Sequence, residues 1–265
     1  MKAFQITDGI EIKPLAFHSA YRKGDAPAEI FRRQAAGEVP RVVPDLRPVR
    51  FIRTIALRDG SFGGLGSDSG LLLTFVISGE LTLTTAGGQK TALSPGDMLE
   101  LDDKTVSRIG VNASGGCRLI QIGVYPGWHG QEPKIQDPGT PTQRKTGEVA
   151  IKRLYTGKDD LSYYQDFSDL FSTPLNEWSA PRPVDGMRFM CWEDGFLDWH
   201  PEVVNNFAVI MSGELEIKAS GDHVSHVYYA GDILLAADRT GAGHQNFCRG
   251  VSHAALFVID TRNLW

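Results

Sequence analysis

The side chains with most to offer chemically sit in one short stretch, DWHPEVVNNF, at 198–207. His200, Glu202 and Asn206 share sequence parity, so on an extended strand they project from one face. His200 precedes Pro201, which biases it toward extended backbone. An imidazole and a carboxylate on one face suit metal ligation or proton transfer near neutral pH. The same trio would also be at ease in water at a strand entrance, ahead of the apolar run FAVIM (207–211). A second imidazole, His244, lies in the glycine-rich TGAGHQNF (240–247). Asp198 shares the parity of His200 and reads equally as a cavity acid or an ordinary strand-end acid. Trp192, Trp199, Phe207 and Tyr228 add aromatic bulk, read first as core packing.

Other histidines carry less. His223 and His226, in and just after a turn, read as surface; His253 opens a strand with its face undecided; His18 and His129 fall in irregular segments and receive no role. There is no GxxxxGK[ST] phosphate loop, no GxSxG nucleophile elbow and no GxGxxG opening a helix. GGLGSDSG (63–70) is glycine-rich but precedes a strand, so it is a loop without phosphate implication.

The elements that must position these residues are signalled by an internal repeat. FVISGELTL (75–83) recurs as VIMSGELEI (209–217), with the SGEL core shifted by 134 positions; PGDML (95–99) recurs as AGDIL (230–234), shifted by 135, and DDKT (102–105) as ADRT (237–240). Three ordered blocks with one inserted residue are what a duplicated module with a lengthened hairpin gives. Each copy reads as strands, since LLLTFVISGELTLTT (71–85) is rich in β-branched and apolar residues and is interrupted by a glycine. AGGQ (86–89) and SGDH (220–223) read as hairpin turns in which glycine supplies positive φ. Asp232 reads as a cap of its AGD turn. Short strands between turn signals predict an all-β sandwich or barrel. Residues 126–148 hold four prolines and few aliphatics and read as connector; 158–178 is open between a short helix and an edge segment.

Bulk composition agrees with a globular chain. With 265 residues, 42% hydrophobic and 22% charged, one large or two modest domains are expected. The 29 glycines suit many tight turns. A net charge of -5 gives no basic field for nucleic acid or anionic lipid, and no stretch approaches the ~18 apolar residues of a membrane span. The amino-terminal sequence lacks a secretory pattern, and Cys117, Cys191 and Cys248 form neither a disulfide framework nor a metal clip, so a cytoplasmic location is expected.

The repeated blocks resemble the cupin superfamily over about 50–125 and 182–260. The second copy resembles small cupins carrying DWHP (198–201), SGELE (212–216) and GDILLAADRTGAGH (231–244). The resemblance implies two tandem cupin (double-stranded β-helix, jelly-roll) barrels: an amino-terminal one with its arm at 1–125, a connector at 126–181, and a carboxy-terminal one at 182–265. Cupins commonly hold a divalent metal through His, His and Glu of one motif and His of a second. Those positions fall here on His200, Glu202, Asn206 and His244, so asparagine stands where the family has Glu. The implied metal set is His200, Glu202 and His244, for Fe, Mn, Zn or Ni. The implied catalytic set is Glu202, His244 and Asn206, the last orienting substrate or a ligand. In the first copy the same positions are Gly66, Asp68, Leu72 and Ile109, a set that fills a barrel rather than loading it. The expected function is a small-molecule enzyme, dioxygenase or isomerase, acting on a small oxygenated metabolite in the second barrel. The alternative is a non-catalytic bicupin that binds or senses a small ligand. Monomer and homodimer are both compatible.

Overall fold

A computed structural model describes residues 2–7, 11–14, 46–66, 70–125 and 148–259. The described residues divide into two units. The first holds those up to 125, apart from Leu46 and Arg47, together with Asp169–Val184; the second holds Leu46, Arg47, 148–168 and 185–259. No helix among the described residues is long and apolar enough to cross a membrane.

The first unit contains β1 (Ala3–Thr7), β2 (Glu11–Pro14), β3 (Val49–Ala56), β4 (Gly60–Phe62), β5 (Leu71–Thr85), β6 (Lys90–Leu93), β7 (Met98–Leu101), the one-turn helix α1 (Asp103–Val106) and β8 (Ile109–Val124). The second contains β9 (Ile151–Thr156), β10 (Ser162–Asp166), β11 (Gly186–Trp192), β12 (Gly195–His200), β13 (Asn206–Ala219), β14 (Ser225–Tyr228), β15 (Ile233–Ala237) and β16 (His244–Val258). The order β2-β1-β7-β5-β8-β3, with β4 on β8 and β6 on β5, is repeated as β10-β9-β15-β13-β16-β11, with β12 on β16 and β14 on β13. The sequence duplication is therefore a duplication of topology. The fold is all-β, two tandem jelly-roll units.

The long strands carry the architecture. β13 pairs with β16 from Asn206↔Val258 to Ala219↔His244, and the register shifts around Ser212 and Gly213. Its first half pairs on the other side with β15 and its second half with β14. SGEL is thus a bulge where one continuous strand bends, the device that lets a jelly-roll strand serve two sheets. β5 does the same around Ser78 and Gly79. Burial follows this division: NFAVIM is buried throughout, whereas ELEIKA alternates.

Hairpin turns lie at 86–89 and 220–223, but only the first uses glycine for positive φ. Gly88 has φ +82, while in the second turn His223 has φ +56. Asp232 caps its turn, accepting from Tyr229 N at 2.7 Å, and its second oxygen accepts from Ala150 N at 2.6 Å, just ahead of β9. Asp97 repeats both bonds with Ser94 N at 3.0 Å and Lys2 N at 2.5 Å.

The connector expected at 126–181 needs correction. Within its described part, β9 and β10 are strands of the second sheet, β9 lying parallel to β15. Ser168–Phe171 is a single 3-10 turn, and Asp169–Val184 packs with the first unit. Residues 126–147, and with them His129, lie outside the described residues, as does His18.

Candidate functional site

β12 and β16 pair antiparallel so that His200 stands opposite His244. Their rings lie 4.5 Å apart between centroids, tilted by 52°, and both residues are buried. The GAGH spacing has a steric cause. Gly243 has φ +71, and a Cβ there would run into the His200 carbonyl, so only glycine brings β16 this close to β12. Asn206, which opens β13, is also buried; its Nδ2 donates to Val204 O at 3.2 Å.

Asp238 is the residue that ties the site together. It is fully buried, and its Oδ2 lies 2.8 Å from His244 Nδ1 while accepting a bond of 2.8 Å from Ser162 Oγ. Its backbone oxygen accepts from Glu202 N at 3.0 Å. A carboxylate can only accept, so His244 carries its proton on Nδ1 and turns Nε2 inward as the basic nitrogen. That Nε2 is buried and has no hydrogen-bond partner among the described residues; its nearest acidic neighbour is Glu202 Oε1 at 3.9 Å. His200 is fixed in the same sense, Nδ1 donating to the Asp198 carbonyl at 2.6 Å.

Electrostatics follow from burial. Loss of water pushes Glu202 above the usual carboxylate range; the nearby Asp238 charge adds to this, while His244, Arg188 and a hydrogen bond from Asn206 pull partly back. Burial alone would lower His244, but the charge and hydrogen bond of Asp238, aided by Glu202, more than offset it, and the net direction is upward.

His200, Glu202, Asn206 and His244 line a cavity of about 50 Å³. One water position needs about 10–15 Å³, so the space suits a ligand of a few heavy atoms. Met190, Ala208, Leu234 and Leu256 form apolar wall, and Arg188 and Asn246 join the polar lining. Neither Arg188 nor Asp238 is singled out by sequence reasoning. Both had signals: an acid six residues before His244 in DRTGAGH, and an arginine inside the apolar strand MRFMCW.

The expected metal set is brought together as neighbours but not as a cage. Bonds of about 2.1 Å place donors on one ion roughly 3.0–3.4 Å apart at tetrahedral or cis-octahedral angles. Glu202 Oε1 and His244 Nε2 are wider than that, at 3.9 Å. Among the described residues no three His, Cys, Asp or Glu side chains are grouped to hold an ion. The donor set as placed does not fit a metal.

The remaining candidates resolve as follows. Asp198 is exposed and its Oδ1 accepts from Trp199 N at 2.8 Å and Gln245 Nε2 at 3.1 Å, so its carboxylate serves the surface. Trp192 lines the cavity, whereas Phe207 and Tyr228 are buried outside it. His223 is exposed, but His226 is only half-exposed and stands edge-on to Tyr164 at 4.4 Å between centroids. His253 is buried away from the cavity, with Nδ1 3.0 Å from Ser212 Oγ. All three cysteines are free and buried, and burial pushes the Cys117 thiol up to about 12.

In the first unit Leu72 and Ile109 are buried in one continuous apolar cluster with Leu65, Val76 and Leu101. Asp68 lies outside the described residues. The interior is not wholly apolar, however. Arg53, buried on β3, donates from Nε and Nη2 to Gln121 Oε1 at 2.9 and 2.5 Å, and Gln121 Nε2 donates onward to Leu65 O at 2.7 Å and Thr74 Oγ1 at 3.0 Å. Gly66, at the position of His200, has φ +109, and a side chain there would collide with the Arg53 guanidinium.

The duplicated strand order, with the paired histidines inside the second copy, decides the architecture. Each unit has the strand order of a jelly roll, the architecture that the resemblance to cupins implies. No family model matches the chain, and no curated protein matches it. Similar solved structures include a cupin 2 conserved barrel domain protein from Leptotrichia buccalis, 14% identical over 81% of this chain and 85% of that one, with a TM-score of 0.37. A putative glyoxylate induced protein from Pseudomonas aeruginosa is 15% identical over 87% and 89%, with a TM-score of 0.32. An oxalate decarboxylase from Bacillus subtilis is 13% identical over 80% and 69%, with a TM-score of 0.27.

Proposed function

We propose that the second cupin unit is a metal-independent proton-transfer enzyme of the isomerase class, acting on a small oxygenated metabolite. The observation that carries this reading is His244: Nδ1 is anchored to buried Asp238, and Nε2, without a hydrogen-bond partner among the described residues, is presented at the cavity. A base held by an acid in this way has the tautomer and orientation that proton abstraction needs. Glu202 is the second proton carrier, and burial shifts it toward the protonated form. His244 Nε2 takes a proton from carbon next to a substrate carbonyl, Glu202 gives one to the carbonyl oxygen, and the reverse steps at the adjacent carbon complete the isomerisation. Nothing is oxidised, and both side chains return to their starting states. Asn206, buried in the same lining, is placed to orient substrate. Of the two expected reaction classes, isomerisation is the one these two carriers serve unaided.

The test is hydrogen exchange on substrate. Purified protein in D2O is incubated with short 2-hydroxy and 2-oxo metabolites, and deuterium gain at carbon is followed by NMR. Wild-type protein should exchange at least one compound, and His244→Gln should slow it by roughly 10²–10⁴-fold, the usual worth of a positioned acid–base group. Exchange that survives His244→Gln unchanged, or a protein that binds panel compounds without exchanging any, overturns the catalytic reading; the second outcome would leave a binding protein.

A further inference from the structure

We propose that Asn246 receives a substrate hydroxyl, so that the second unit's cavity selects 2-hydroxy aldehydes and ketones over carbonyl compounds that lack the hydroxyl. This rests on the reading of that cavity as the substrate site and adds the group that recognises the substrate there. Asn246 lies two residues beyond His244 on β16, so both side chains project from one face of the strand, with Cα atoms about 7 Å apart. Both residues line the cavity. Asn246 Oδ1 and His244 Nε2 are buried acceptors without a hydrogen-bond partner among the described residues. A buried acceptor in that state destabilises the fold unless a donor reaches it.

The duplication shows that the topology does not itself call for a carboxamide at this place. Asn246 pairs with Leu197 of β12 and Ile217 of β13; at the same crossing in the first unit Val111 pairs with Phe62 of β4 and Leu83 of β5. Val111 is buried in the leucine-rich cluster of that unit. The second unit has placed an amide where the first packs a valine, and has placed it beside open volume. Leu197 and Ile217, which flank Asn246 in the sheet and share its face, also line the cavity and have no side-chain donor to give. The donor that completes Oδ1 therefore arrives with the ligand. Of the small donors, a hydroxyl is the one that isomerisation already requires, because the oxygen on the carbon beside the carbonyl becomes the new carbonyl. A site built to hydrogen-bond a substrate hydroxyl rejects the analogue lacking it, since its own polar atom is then left buried and unsatisfied. The volume, about 50 Å³, admits a hydroxy ketone of three carbons, and the leucine and isoleucine walls suit its hydrocarbon part.

The experiment is titration of the full chain, followed by ligand-observed NMR, with hydroxyacetone and with butanone, in which a methyl group replaces the hydroxyl. Hydroxyacetone should bind saturably and butanone at least tenfold more weakly. Asn246→Val, which gives the second unit the residue of the first, should remove the preference, hydroxyacetone losing at least tenfold in affinity while butanone keeps its own. The variant also takes away a buried acceptor, so its urea midpoint should rise above that of wild type; an asparagine that served the fold would instead leave the variant less stable. Equal or absent binding of the two ketones by wild type, a preference that survives Asn246→Val, or a lowered urea midpoint in that variant overturns the proposal. A preference for hydroxyacetone without deuterium exchange on any substrate would sink the proton-transfer reading alone; exchange with equal affinity for the two ketones would sink this one alone.

Discussion

At the scale of single residues, Asp238 governs what His244 is able to do. Its carboxylate is fully buried between the imidazole and Ser162, so replacing it with alanine strands a buried polar ring and a hydroxyl together. Asp238→Ala should lower the unfolding free energy by roughly 3–5 kcal/mol, the usual cost of breaking a buried pair from one side, as read by urea denaturation. The pair also sets a pH dependence. His244 binds its proton more tightly folded than unfolded, so its stabilisation is complete below the ordinary value of 6.5 and is lost as pH rises through the raised one. The stability gap between wild type and His244→Gln should therefore shrink as pH rises above about 6.5; a gap that widens would contradict the Asp238 assignment. His200, Glu202, Asn206 and His244 were legible in sequence because parity and the repeat place them on inward faces. Asp238 and Arg188 were not, because a buried charge is recognised by its partners, and those partners come from other strands.

At the scale of elements, the site depends on how closely β16 is allowed to approach β12. Two glycines separate the causes. Gly88 and Gly243 both have positive φ, but a Cβ at Gly88 meets nothing within 4 Å, whereas one at Gly243 meets the His200 backbone. Gly88→Ala should cost only the left-handed strain of about 1–2 kcal/mol. Gly243→Ala should cost several kcal/mol more and should abolish substrate exchange, because the clash falls on the backbone that carries His200. Similar losses at the two positions, by urea denaturation, would show that approach is not what Gly243 provides. The turns and long strands were visible in the sequence, but SGEL reads as an interruption until pairing on both sides shows one bent strand. β9 stayed hidden because its partner, β15, is about eighty residues away and parallel, a pairing no local pattern announces.

At the scale of the whole molecule, one topology has been used twice with opposite treatment of the interior. The second unit keeps Asn206 at the head of β13, among polar neighbours beside a cavity; the first has Leu72 at that place, fully buried in a leucine-rich cluster. Copying the polar residue back tests whether the first interior is held by its packing. Leu72→Asn removes buried hydrocarbon and places a carboxamide within that cluster, which should cost roughly 3–5 kcal/mol. By hydrogen–deuterium exchange with mass spectrometry, amides of β5 and β8 should lose roughly 10²-fold or more of their protection. Those of β13 and β16 should keep theirs, since both strands belong to the second unit. Unchanged protection in β5 would mean that Leu72 tolerates a polar group and that the first interior, like the second, has room for one.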